Sequence, residues 1–401
     1  MAEIHVFDAI RTPRGKGKPD GLLAGVPPWE LVGQLVAALR ARGAAAALEA
    51  TDRLVLGCVT QAGPQGGHIA LLSRIHAGLP GTAVAVTVNN YCVSGMSALA
   101  AAARAVANGE DALALAGGVE CMSQSPFEAD AAPFYRDPAL AAHFHYLAPP
   151  LVADWLATRE GITRAELDEV TVASHQRAGR AWQDGRYASS VVPVRRPDGV
   201  LVERDELVRP GLSAADLARF PAAFAALGAQ GGEAIVNAAD PALGGLHYLH
   251  AVPHCPPMAD GAALVLIGAR EQAAELGLRS RARVAAAVEV NTDPLDPFAA
   301  GFVALERVLA DSRLELEDIG AIEFMEAFAA VPETFSRRYP KAAARANESG
   351  GHLAMGHPMG ASGAILVATL LAEMERKDVE WGVAVAHAVS GVGAAVLLQR
   401  A

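Results

Sequence analysis

The chain has 401 residues, a formal charge of −11, and 52% hydrophobic but only 5% aromatic residues. That length exceeds what one hydrophobic core supports, so two or three subdomains are expected, with an Ala, Val and Leu interior suited to helices packed on buried strands. The acidic balance without any basic run excludes nucleic acid and anionic membrane surfaces as main partners, and four cysteines (Cys58, Cys92, Cys121, Cys255) without paired spacing exclude a disulfide framework or a zinc site.

Apolar periodicity predicts a strand over Ile4 to Phe7, a helix near Trp29 to Arg40, a strand Leu54 to Val59 and a helix Ile69 to Ala77. A strand Val84 to Val88, a helix Gly95 to Ala107 and a strand Ala112 to Ala116 follow. Such alternation predicts an α/β fold built on a parallel sheet, with active groups outside the strand C-termini. From Glu120 to about Cys255, prolines such as Pro149-Pro150, Pro210 and Pro256-Pro257 break the pattern into an inserted subdomain. One clear helix stands out there, Arg164 to Trp182, opened by the capping signal Thr163-Arg164-Ala165-Glu166. A strand Ala262 to Ile267 returns the chain to the core, and alternation resumes with a helix near Gln272, a strand Val284 to Val290 and a helix Val303 to Leu309. The remainder reads as strand Ile319 to Phe324, helix Ala361 to Glu373, and strands Val383 to Ala388 and Gly393 to Leu398. Both halves therefore read as one duplicated unit: residues 1–119, an insertion 120–257 returning at 258–270, and residues 271–401. The N-terminus carries no leader pattern, the C-terminus no peroxisomal address, and no apolar run reaches spanning length without a charge, so a soluble cytoplasmic protein is expected.

Cys92 falls at or just before a predicted helix N-terminus, after Asn89-Asn90-Tyr91. Unpaired N–H groups and the helix dipole stabilise a thiolate there, which makes Cys92 a candidate nucleophile, against the bland role of an inert buried thiol. A nucleophilic thiol needs a base, and His357, in the Gly-rich turn Gly356-His357-Pro358-Met359-Gly360, is the candidate. His387 lies between two core strands, and Glu326 follows another strand, where it can orient a histidine or cap a helix. His247, His250 and His254 are irregularly spaced and lack a carboxylate or Cys set, so no metal is expected.

Taken together, Asp8 to Gly15, Gly57 to Gln61, Val88 to Gly95, Ala116 to Ser123, Glu326 to Ala329 and Gly356 to Gly363 resemble the motifs of the thiolase family in order and spacing. The resemblance covers almost the whole chain. It implies the thiolase fold: duplicated βαβαβαββ halves in a five-layered α-β-α-β-α core with an inserted loop domain, assembled as a homodimer that in this family often pairs into a homotetramer. It also implies reversible Claisen exchange on coenzyme A thioesters, with acyl-CoA and CoA as substrates and no permanently bound cofactor. Cys92 matches the covalent nucleophile and His357 the histidine that takes the thiol proton and helps hold the thioester oxygen, while the N–H groups of Cys92 and Val389 match oxyanion donors. Arg209 and Phe224 match residues beside the CoA adenine, and Met325, Glu326, Ala327 and Phe328 occupy the family's Asn-Glu-Ala-Phe stretch.

Three departures accompany the match. The family's second catalytic cysteine aligns with His387 and the glycine of its Cys-x-Gly turn with Val389; imidazole can do the same acid/base work, which makes a Cys-His-His set, but Val is costly if that turn needs φ > 0. The family asparagine that fixes a water aligns with Met325, which has no donor. The family's Ala-Gly-Asn-Ala-Ser-Gly stretch is replaced by Val252 to Pro257, with Pro256 at a serine that touches pantetheine. Two other readings compete: a condensing enzyme with a different acyl acceptor or donor, since ketoacyl synthases also use Cys-His-His, and a non-catalytic acyl-CoA-binding subunit.

Overall fold

The computed structural model of the protein describes residues 2–401. Its first half runs β1 (Ile4–Arg11), α1 (Pro28–Leu39), β2 (Arg53–Gly57), α2 (Ile69–His76), β3 (Val84–Val88), α3 (Ser94–Ala107) and β4 (Leu113–Cys121). An insertion containing α4 (Pro149–Arg159) and α5 (Arg164–Gln183) follows, and β5 (Ala259–Ala269) then enters between β1 and β4. The second half runs β6 (Ala282–Asn291), α6 (Ala299–Ser312), β7 (Ala321–Phe324), α7 (Ala330–Arg338), α8 (Met359–Lys377), β8 (Trp381–Ala388) and β9 (Val392–Arg400).

The strands are ordered β7-β8-β9-β6-β1-β5-β4-β2-β3, and the two halves repeat one pairing scheme. β2 lies parallel to β4 as β7 does to β8, β4 antiparallel to β5 as β8 to β9, and β5 antiparallel to β1 as β9 to β6. The sheet is thus mixed and not parallel, because the last strand of each half enters by a long insertion or a hairpin and needs no crossover helix. β3 has only a trace of a counterpart, a single parallel bridge between Ile322 and Ala346.

α8 is buried at every position from Met359 to Met374, so it needs partners on all sides. It packs on α3, on β4 and β5 of the first half and on β7 and β8 of the second. α1 and α6 cover the outer faces, α1 through Leu31, Val32, Leu35, Val36 and Leu39. The two central helices meet through backbone. A Cβ on Gly95 would sit 2.7 Å from the Ala364 nitrogen, one on Gly363 2.6 Å from the Met96 nitrogen, and one on Gly118 2.2 Å from the Gly360 carbonyl oxygen. The first turns of α3 and α8 are therefore side by side, which brings the turn before Ser94 next to the turn before Met359.

Several local expectations shift. Glu120 belongs to β4, whose pairing with β5 continues to Cys121 opposite Asp260, so the sheet outlasts the 119/120 boundary. Pro149-Pro150 opens α4 where it was read as a break, since the missing N–H groups of a first turn have no helical acceptor. The stretch Pro28–Glu49 is long and apolar enough, by length and composition alone, to span a membrane, despite its charged residues; in the fold α1 packs its apolar face on the first-half core.

Candidate active site

β3 ends at Val88, and two asparagines hold the turn that follows. Asn89 Nδ2 donates to the Val59 carbonyl (3.1 Å), the Tyr91 N–H donates to Asn89 Oδ1 (3.1 Å), and the Asn90 N–H donates to Ser94 Oγ (2.8 Å). Ser94 Oγ in turn donates to the Tyr91 carbonyl (2.5 Å). Tyr91 is forced to φ 47°, a left-handed conformation rarely taken by a bulky residue. This sharp bend between strand and helix presents Cys92 two residues before α3, half-buried against Val59, Met122 and Met359.

His357 sits two residues before α8. Gly356, at φ 95°, makes the turn; its carbonyl accepts from Arg14 Nη1 (2.8 Å), and the His357 N–H donates to the Pro257 carbonyl (2.8 Å). The ring nitrogen Nδ1 is hydrogen-bonded to Ser362 Oγ at 2.8 Å, one turn into the helix, which leaves Nε2 for chemistry. Cys92 and Met359 share one apolar cluster, so nucleophile and base lie at apposed helix starts. Beneath both, the buried Glu120 carboxylate accepts from the Val59 N–H (2.9 Å), the Thr60 N–H (3.0 Å), Gln65 Nε2 (2.8 Å) and the Gly360 N–H (2.9 Å). One side chain thereby ties the loop after β2 to β4 and to the start of α8.

Burial, followed by the charge of Glu120, pushes the Cys92 thiol up to about 12. Burial, followed by the Arg14 guanidinium, pushes His357 down to about 3. The resting pair is therefore a thiol beside a neutral imidazole. This corrects the thiolate expected from helix position alone: desolvation and a nearby carboxylate outweigh the N–H groups of one helix end. A neutral His357 is the form that can accept a proton.

The ring of His387 lies between Phe298 and Phe324, each with its centroid 5.4 Å away, and against Gly301 of α6, where a Cβ would meet Nδ1 at 2.4 Å. Neither ring nitrogen has a hydrogen-bond partner, and burial, followed by His357, pushes the ring down to about 3. His387 is thus brought to the neighbourhood of His357 but bonds neither to it nor to Cys92. In the turn after it the left-handed conformations fall on Ser390 (φ 61°) and Gly391 (φ 71°), so Val389 is accommodated without strain. Met325 is fully buried, its N–H donating to the Val385 carbonyl (2.9 Å).

Glu326 orients no histidine. It accepts from Ser174 Oγ (2.7 Å), the Leu353 N–H (3.1 Å) and Asn347 Nδ2 (3.4 Å), and so fastens α5 of the insertion to the second half. Ala327 and Phe328 are buried, and the Phe328 ring lies tilted against Phe298, with centroids 5.8 Å apart. In the insertion Arg209 is exposed with its N–H bonded to His175 Nδ1 (3.1 Å), and Phe224 is half-buried. His250 and His254 pair separately with Asp154 (2.8 Å) and Asp168 (2.7 Å), and among the described residues no group of three or more His, Cys, Asp or Glu side chains is arranged to hold a metal. A cavity of about 510 Å³ between Leu305, Leu309, Leu316 and Tyr339 contains none of these residues. Sequence reasoning missed the site roles of Glu120, Arg14 and Ser362. Each stands in or beside a motif stretch, but burial and hydrogen-bond partners carry no sequence period.

Residues 4–238 match the family model "Thiolase, N-terminal domain" and residues 278–400 match "Thiolase, C-terminal domain". The chain belongs to the thiolase family. This thiolase-family acyltransferase is 33% identical over 408 residues to a 3-ketoacyl-CoA thiolase of Alcanivorax borkumensis, covering 99% of this chain and 98% of that protein. It is 32% identical over 420 residues to a beta-ketoadipyl-CoA thiolase of Pseudomonas knackmussii, covering 99% of each. The crystal structure of the Bacillus anthracis acetyl-CoA acetyltransferase superposes with a TM-score of 0.86 at 26% identity, covering 100% of this chain and 99% of that one, so the fold is the thiolase fold.

A thiol held neutral until its base acts makes a specific demand on reactivity. Alkylation of Cys92 by iodoacetamide should accelerate about tenfold per pH unit from pH 6 towards pH 9, as the thiolate fraction grows. A rate already level below pH 7 would mean that the thiolate is preformed.

Proposed function

We propose that the protein catalyses reversible thiolytic cleavage of 3-oxoacyl-CoA through an acyl-Cys92 intermediate, the reverse reaction being Claisen condensation of acyl-CoA with acetyl-CoA. The observation that carries this reading is the half-buried Cys92 on a strained elbow, packed against Met359, two residues after His357 at the start of the apposed helix. His357 takes the thiol proton at Nε2 and the sulfur attacks the C3 carbonyl. Negative charge on that oxygen is met by the N–H groups of Cys92 and Val389, one such donor being worth about 3 kcal/mol. The bond between C2 and C3 then breaks, its electrons pass to the thioester oxygen as an enolate, and C2 takes a proton from one nitrogen of the neutral His387 ring while the other nitrogen accepts the proton that His357 removed from the thiol. A second CoA gives its thiol proton to His357 and takes the acyl group, and His357 returns that proton to the departing Cys92 sulfur.

His387 is our choice for C2 chemistry because it stands at the family's second cysteine and lies near enough to His357 for their charges to oppose each other. Its neutral ring offers a lone pair at physiological pH. Arg209 and Phe224 are assigned to the CoA adenine, and Met325, Ala327 and Phe328 to the acyl side.

We further propose a homodimer joined through β3. This strand forms one end of the sheet with every residue from Val84 to Val88 at least partly exposed, and Ile75 of α2 adds 61% exposure beside it. An unpaired apolar edge of this kind needs cover. Sedimentation should therefore give twice the 41.4 kDa chain mass or a multiple of that dimer, and a monomer at micromolar concentration would contradict it.

The catalytic reading is tested by CoA-dependent loss of 3-ketoacyl-CoA absorbance with acetoacetyl-CoA and with a longer substrate. Wild type should turn over at least one of them, and Cys92→Ala should lower the rate by about a thousandfold or more. Equal rates in the two proteins, or no turnover of either substrate by wild type, would overturn it.

A further inference from the structure

Two histidines beside His357 are buried with no hydrogen-bond partner on either ring nitrogen: His352, 1% exposed, and His387. His387 already has a place in the proposed reaction. His352 has none. It opens the helical turn His352–Met355 that leads into Gly356, and its ring stands edge-on to that of His357, with centroids 5.2 Å apart and planes at 75°. Both rings belong to one short segment, so the segment that positions the base positions His352 as well.

An imidazole is an awkward residue to bury in this way. It brings one donor and one acceptor, and leaving both unmade costs stability that an apolar side chain of similar size would not. The surroundings add no carboxylate bonded to the ring. Burial, Arg14, His357, His387 and Arg11 all act to keep it neutral. A neutral ring that carries one N–H and lies beside the catalytic base is fitted to meet a group the protein itself does not supply.

We propose that His352 is a further catalytic residue, donating a ring N–H to the thioester oxygen of the acyl-CoA as the C2–C3 bond breaks. The inference rests on the thiolase chemistry proposed above. In that step the electron pair of the C2–C3 bond moves into the C1–C2 bond and the carbonyl pair moves onto the thioester oxygen. His352 keeps its proton throughout, and its hydrogen bond strengthens as the oxygen becomes negative. His357 handles the thiol proton and His387 the proton at C2, and His352 adds its own donor at the thioester oxygen. Met325, the residue after β7 on this side, has no donor that could do this work.

The test compares His352→Phe, which fills the space without a donor, with His352→Gln, which keeps an N–H. Thiolysis of a 3-ketoacyl-CoA that wild type cleaves gives kcat and KM, and iodoacetamide alkylation of Cys92 reports a step with no enolate. His352→Phe should lower kcat on the order of a hundredfold with KM within about threefold, while Cys92 alkylation stays within about twofold and Tm does not fall. His352→Gln should recover part of kcat. Full activity in His352→Phe would overturn the inference, as would parallel losses of kcat, alkylation and Tm without recovery in His352→Gln, which mark a structural role. Failure of wild type to cleave any 3-ketoacyl-CoA would instead overturn the reaction on which the inference rests.

Discussion

A single buried carboxylate holds the centre of this molecule together. Glu120 accepts four hydrogen bonds from three separate parts of the chain, and the Gly360 N–H among them belongs to the first turn of α8. Without it, four buried donors would lose their acceptor at once, a loss that scales as about 1–3 kcal/mol per group. The same carboxylate raises the Cys92 thiol. Structure and reactivity are thus coupled through one side chain: what fixes the start of α8 to β4 and to the loop after β2 also keeps the nucleophile protonated at rest.

The glycines complete that constraint. Gly95, Gly118, Gly360 and Gly363 have no room for a Cβ, since backbone or buried atoms already occupy the space within 3 Å. Helices separated by ordinary side chains cross at 8–10 Å. Here the small residues let the two first turns touch, so residues from halves of the chain more than 250 positions apart form one site. Arg14 adds a fixed positive charge bonded to the Gly356 carbonyl, which disfavours a second positive charge on His357 and favours negative charge on substrate.

Much of this fold is legible in the sequence because it rests on periodic patterns. Strand and helix alternation gives nearly every core element to within a few residues, and the motif before Cys92 gives the elbow. The misses have physical causes. α4 hides behind Pro149-Pro150, which can open a helix as well as break one. The sense of each strand does not follow from its own residues, so the mixed sheet emerges only once β5 and β9 are paired. At the site, Cys92 and His357 are readable because reactive residue types stand at helix starts. Glu326 reads from sequence as orienting a histidine or capping a helix, and packing decides between them: its carboxylate turns to Ser174 and to the Leu353 N–H in the first turn of His352–Met355. The thiol's state depends on how far Cys92 is desolvated and on Glu120, both set by packing and invisible in the local sequence.

The measurement that bears most directly on this account is the trapping of the covalent intermediate. Incubation with acetyl-CoA, acid quenching and peptide mass analysis should find one acetyl group on the peptide containing Cys92, with CoA released in equal amount, and no adduct on Cys58, Cys121 or Cys255. Acetylation of another cysteine in place of Cys92, or release of CoA with no acyl group on the protein, would contradict the assignment of Cys92 as the nucleophile around which the two halves are joined.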